Sequence, residues 1–134
     1  MMGCMQWWQV RRALNLANGS TALGLGIAAL GRARVARGPR GLLLATGYRI
    51  RFPIATAFTV GNVVITASSR AWLQASPRTL RHEERHADQY VACLGLPMIG
   101  LYVVAMGWSY LRCRNPFLHN AFEQLAGLED GGYL

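Results

Sequence analysis

The sequence predicts an α+β fold: a small sheet with one strand at its edge, packed on a helix that carries an HExxH motif and on a later helix with a single glutamate. Three observations lead there. The stretch AFTVGNVVIT, residues 57–66, is rich in β-branched residues and precedes RHEERHADQY, residues 81–90. The second stretch lies between a helix start signal and a helix stop signal. Beyond it Glu123 is the first carboxylate after Asp88, in the otherwise largely apolar segment NPFLHNAFEQLAGL.

With 134 residues the chain is long enough for one domain with a real core and too short for two, so residues 1–134 are read as one domain. Apolar residues make up 52% and charged residues 15%. Much of the chain is therefore buried or lies against something apolar.

The elements follow in order. Between Val10 and Leu30 the apolar residues fall among alanines and glycines at helical spacing, with a break near Asn18-Gly19. RARVARGPRG, from Arg32 to Gly41, reads as a basic turn ended by Pro39 and Gly41. GLLLATGYRIRF then passes from an apolar run to alternation at Tyr48, Ile50 and Phe52, which favours a strand closed by Pro53. In 57–66, Gly61-Asn62 either turns a hairpin or marks a bulge.

Ser76 and Pro77 give an N-cap and a proline at the first helical position, and Gly95 with Pro97 gives a stop, so 77–94 is one helix. The uncharged stretch from Gln89 to Leu111 qualifies by length as a membrane span, but Gly95, Pro97 and Gly100 interrupt it. Residues 98–112 leave about 22 Å of helix at about 1.5 Å per residue, short of the roughly 30 Å of a bilayer core. A buried or membrane-leaning helix is expected there. Asn115-Pro116 precedes a last helix, 117–126, closed by Gly127.

All fourteen basic residues are arginines, and the net charge is +8. Those at 32–40 and 49–51 form a solvated rim or a basic face for phosphates or anionic lipid. Aromatic side chains that stack bases do not interleave them, so nucleic acid is a poor partner. Cys4, Cys93 and Cys113 have no CxxC spacing, which excludes a disulfide framework and a cysteine zinc site and fits a reducing compartment, the cytoplasm. Asn15, Asn18, Ser20 and Thr21 interrupt the N-terminal apolar stretch, unlike the continuous run of a cleavable signal peptide.

On an ideal helix Leu80, Ala87, Val91 and Leu94 share a face, read as the core stripe, and His82 and His86 stack one above the other roughly opposite. Two imidazoles so placed reach one zinc ion, and Glu83, one residue round, reaches a water on it. Zinc acidifies that water and polarises a carbonyl, and Glu83 acts as the base. The alternative is a solvated face on which Arg81, Glu84, Arg85 and Asp88 form ion pairs at helical spacing. Glu123 supplies a third ligand, since a carboxylate on an apolar helix needs a partner; His119, four residues earlier, is the rival.

The order of strands, HExxH helix and glutamate helix resembles the gluzincin metallopeptidases, and the small size resembles the single-domain minigluzincins. LNLANGST, RGPRGLLLATGYR, FTVGNVVIT, HEERHADQY and FEQLAGLEDGGY look like a set of small actinobacterial proteins over most of the chain. The resemblance implies zinc-dependent peptide-bond hydrolysis, with His82, His86 and Glu123 as zinc ligands and Glu83 as general base. It also implies that the 57–66 strand pairs with an extended peptide or protein substrate. Gluzincins often carry an aspartate four residues after the glutamate ligand, and Gly127 stands there. Asp88, Asn120 or a backbone carbonyl is then left to orient a histidine.

The oxyanion partner stays open among Tyr90, Tyr102, Tyr110, Tyr133 and His119. The tail LEDGGYL is able to fold back, so that Tyr133 or the carboxylate of Leu134 covers the metal and keeps the enzyme latent. The competing class is a non-catalytic module that holds zinc structurally, or uses its arginine-rich face on nucleic acid or anionic membrane.

Overall fold

A computed structural model describes residues 6–50 and 57–127. Two helices, α1 (Trp7–Ala17) and α2 (Ser20–Leu30), open the chain and bend by 74° between them. Gly19 takes φ 85 at the break, and Asn18 Oδ1 accepts hydrogen bonds from the Ser20 amide and hydroxyl at 3.0 and 2.6 Å. Strands β1 (Arg34–Arg37), β2 (Leu43–Thr46), β3 (Phe58–Val60) and β4 (Val63–Ile65) form one sheet in the order β1-β2-β4-β3. Helices α3 (Arg70–Gln74), α4 (Pro77–Ala92), α5 (Pro97–Cys113) and α6 (Ala121–Ala126) follow.

The α+β class stands, and several local expectations are corrected. Arg34–Arg37 is an edge strand rather than a turn, paired antiparallel with β2. It pairs with the next strand across a short turn, and its own residues are mostly exposed, so they carry no hydrophobic alternation. Only the short 3-10 turn Pro39–Gly41 reverses the chain, with Arg40 at φ 54 and Gly41 at φ 77. The second strand stops at Thr46 because Gly47 takes φ 71; Tyr48 continues only one main-chain bond, its amide donating to Thr66 at 3.0 Å. Phe52 and Pro53 lie outside the described residues.

Gly61-Asn62 turns a hairpin, with Val60 opposite Val63 and Gly61 at φ 64. A Cβ on Gly61 would fall 2.4 Å from the Thr21 amide nitrogen, so this turn needs glycine for both conformation and space. Within 57–66 only β3 is an edge; β4 is interior, parallel to β2 on its other side.

The pleat divides the core. Leu44 and Val64 face Leu73, Ala87 and the half-buried Trp72 and Leu80 beneath α3 and α4. Ala45, Val63 and Ile65 face Ala28 of α2 and Tyr48. The sheet is thus covered on both faces, and α4 lies across β3 with its middle turns buried.

The expected core stripe of α4 is wrong in part. The buried side chains are His82, Glu83, His86, Ala87 and Tyr90, while Leu94 is 79% exposed. The buried arc includes Ala87 but extends towards the histidines, because α6 packs over that side and supplies polar partners. Nor does Ser76 cap α4 with its side chain: its hydroxyl donates to the Trp72 carbonyl at 2.8 Å instead. The last helix starts at Ala121, not 117, because Asn120 Oδ1 accepts from the Phe122 and Glu123 amides at 3.0 and 3.4 Å.

A buried polar network ties the first helix to this core. Asn15, fully buried, donates to Asn62 Oδ1 at 3.1 Å and to the Ala87 carbonyl at 3.0 Å. Asn62 donates in turn to the Arg12 carbonyl at 3.0 Å. The hairpin turn, α1 and the HExxH helix are thereby fixed relative to one another.

Candidate metal centre

One turn of helix separates His82 and His86 on α4, and the Asn120 cap orients α6 so that Glu123 faces them. The structure brings these three together as a group able to hold a metal ion. His82 Nε2 lies 3.1 Å from Glu123 Oε1 and 3.1 Å from His86 Nε2, and His86 Nε2 lies 2.5 Å from the same carboxylate oxygen. Tetrahedral bonds of about 2.1 Å would hold ligand atoms roughly 3.4 Å apart. Opening the triangle by less than about 1 Å reaches that geometry. His82 and Glu123 are 1% exposed and His86 is 7% exposed.

The outer hydrogen bonds settle which ring nitrogens face inward. His82 Nδ1 is 2.8 Å from the Gly127 carbonyl, an acceptor only, so that nitrogen carries a hydrogen. His86 Nδ1 is 2.9 Å from Gln89 Oε1, and Gln89 Nε2 donates to the Phe122 carbonyl at 2.8 Å, which fixes the amide's orientation. Both Nε2 atoms therefore point at one carboxylate oxygen, with lone pairs when the rings are neutral and with N–H donors when they are protonated. Three acceptors that converge in a buried site require a cation or shared protons between them.

The proton affinities reflect that demand. Burial alone would pull the His86 imidazole down, but its bond to Glu123 and the charges of Glu83 and Glu123 outweigh this and raise it to about 9. Burial would raise Glu123, yet hydrogen bonds from His82 and His86, and the Tyr102 hydroxyl, hold it below the usual carboxylate range. Tyr102 Oη donates to Glu123 Oε2 at 2.8 Å, leaving Oε1 for the histidines.

Glu83 turns away from the triad towards β3. Its Oε2 accepts from the Thr59 hydroxyl at 2.6 Å, and it is 3% exposed. Desolvation pushes its carboxyl up, against the attraction of His86 and His82 and the Thr59 bond. A buried carboxylate of raised proton affinity is a better proton acceptor than an ordinary, solvated one.

No family model, curated protein or solved structure matches this chain. The arrangement of its own residues therefore carries the functional reading.

Other predicted site residues are placed as follows. His119 is exposed, its amide donating to Ser109 Oγ at 2.7 Å, and among the described residues it is not part of the group able to hold a metal. Glu84 and Asp88 do not lie on a bare solvated face; they reach Arg11, which is fully buried, at 3.7 and 3.3 Å, and Glu84 also pairs with Arg40 at 2.8 Å. Of the options opposite Gly127, the backbone carbonyl of that same residue takes the role. Asp88 accepts instead from the Trp7 indole at 2.9 Å, and Asn120 caps α6.

Of the candidate tyrosines among the described residues, Tyr102 bonds Glu123; Tyr90 is buried near Glu83, and Tyr110 is exposed beneath Arg114. Tyr133 and Leu134 lie outside the described residues. Thr59 and Gln89 were not singled out from sequence. Gln89 had a signal, since three residues after His86 is the neighbouring position on that helix face. Thr59 had only its place in an alternating strand.

Proposed function

We propose that the protein is a zinc-dependent hydrolase of peptide bonds, a minimal metallopeptidase of the gluzincin pattern. The convergence of two Nε2 lone pairs and the Glu123 carboxylate, with Glu83 buried beside them, carries this reading. Imidazole and carboxylate donors that reach tetrahedral spacing by a small opening fit zinc, and the outward Nδ1 bonds of both histidines are the second layer such sites use. Zinc, when bound, supplies a Lewis acid that polarises a carbonyl and acidifies water.

The chain's own groups do the rest. Glu83 takes a proton from the attacking water as its oxygen bonds to the scissile carbon. It then passes that proton to the leaving nitrogen as the C–N bond breaks, so one water is consumed for each bond cut. Thr59 steadies its carboxylate throughout. In a two-residue hairpin Val60 and Val63 exchange the bonds next to the turn, so Thr59, one residue back, directs its N–H and C=O away from β4. These edge groups suit pairing with an extended peptide, which would lie beside Glu83.

The closed burial of the triad favours one other reading, a structural zinc site without turnover. Two measurements on Glu83→Gln decide between them. Zinc content by elemental analysis stays near one per chain while hydrolysis of an unfolded protein such as casein is abolished. A wild-type protein that binds zinc yet cleaves no unfolded polypeptide supports the structural reading, and one that never binds zinc ends both.

A further inference from the structure

Helix α5 is buried at only two positions, Met98 and Ser109. Leu101, Val104, Trp108 and Leu111 are 49, 71, 58 and 80% exposed. Their spacing of three, four and three residues aligns them as one stripe turned away from Met98 and Ser109. At the bend that leads into the helix, Leu94 is 79% and Leu96 48% exposed. Leu94 also sits at φ 61, a conformation that disfavours any Cβ, and it gains no burial there. A contiguous apolar face of this kind marks a docking surface rather than scattered exposure.

The charges on this face select the occupant. No acidic residue occurs between Gln89 and Phe122, whereas Arg112 and Arg114 stand at the end of the helix. The Arg112 guanidinium lies 5.6 Å from the Trp108 ring centre, and that of Arg114 lies 5.6 Å from the Tyr110 ring centre. Tryptophan, tyrosine and arginine at one end of an apolar helix are the side chains that settle at the headgroup level of a bilayer. A second copy of the chain would bring the same arginines with no carboxylate on the face to meet them. Anionic lipid offers both the apolar layer and the phosphates.

We propose that α5 docks the protein on the surface of an anionic membrane, with the Leu101–Val104–Trp108–Leu111 stripe in the acyl boundary and Arg112 and Arg114 on lipid phosphates. The helix lies on the bilayer rather than through it, since no single helix among the described residues is long and apolar enough to cross. This inference is independent of the metal site.

The test is co-sedimentation of the full chain with vesicles of phosphatidylcholine alone and of phosphatidylcholine with about one-third phosphatidylglycerol. Wild type binds the anionic vesicles at least tenfold more tightly, and the preference shrinks with salt. Val104→Asp/Leu111→Asp, at exposed positions, loses binding tenfold or more with an unchanged melting temperature. Arg112→Gln/Arg114→Gln keeps the stripe and loses the anionic preference. Leu30→Asp, equally exposed on α2 at 78%, binds as wild type. The proposal is overturned if wild type fails to sediment with anionic vesicles, or if the stripe variant binds as wild type. Equal loss in Leu30→Asp overturns it too, as does a wild-type dimer in sedimentation velocity that the stripe variant splits without any vesicle binding.

Discussion

The hydroxyl of Thr59 serves two acceptors on one residue, the Glu83 carboxylate at 2.6 Å and the Glu83 main-chain carbonyl at 3.2 Å. It thereby locks the edge strand to the turn of α4 that carries the proposed base. Thr59→Val keeps the shape and removes the donor. A hydrogen bond to a charged group contributes about 1.5–3 kcal/mol, so Glu83, already raised by burial, is raised further when the Thr59 donor is lost. The acidic limb of the pH–rate profile for peptide hydrolysis moves up accordingly, by about tenfold in rate on that limb, with zinc content unchanged. Thr59→Ser restores the wild-type profile.

Gln89 holds His86 through Nδ1 while its own amide is pinned to Phe122. Gln89→Ala frees the ring to rotate, and zinc affinity falls about 10- to 100-fold. Competition with a chelator of known affinity measures the change. The fold loses little, because Gln89 is only half-buried.

The stability of the metal-free protein depends on pH through His86. Its proton affinity is raised from 6.5 to about 9 in the folded state, so the contribution is fully present below the unfolded value and is lost as pH rises through about 9. In a chelating buffer the melting temperature therefore falls between about pH 7 and 9. With zinc in excess the fall disappears, because the ion replaces the proton and competes better as pH rises. His86→Ala abolishes both behaviours in paired thermal melts.

Arg11 is fully buried, bonding Asp88 and the Arg40 carbonyl and lying near Glu84. Arg11→Met leaves Asp88 without its guanidinium while Glu84 keeps Arg40, and breaking such a pair costs ~3 kcal/mol, at the lower end because Glu84 and Asp88 keep contact with water. Urea unfolding reads this directly, as a midpoint shift at constant slope.

The convergence of His82, His86 and Glu123 was legible because spacing alone stacks His82 over His86, and because a lone carboxylate on an apolar helix demands a counterpart. The limits of α4 were legible from Pro77 and Gly95. The strand Arg34–Arg37 was not, since its ladder partner lies in Leu43–Thr46 and its own residues are mostly exposed. The burial of the histidine face was also missed. Counting apolar residues on α4 points to Leu80, Val91 and Leu94, whereas the buried side chains are satisfied by Thr59, Gly127 and Glu123, all remote in sequence. A polar face that is covered by polar partners leaves no hydrophobic trace.

The acceptor that sets the His82 tautomer is a main-chain oxygen at the end of α6, not a carboxylate. It carries no charge to neutralise at low pH, and no side-chain exchange can delete it. Gly127 itself takes φ 97, so a bulkier residue there would strain the very loop that presents the oxygen. Aspartate in that place would make His82 a stronger donor to metal; a carbonyl makes it a weaker one. If the group holds an ion, its grip is set by how firmly six residues of helix stay docked, since loosening that helix releases the glutamate and frees the histidine in a single motion.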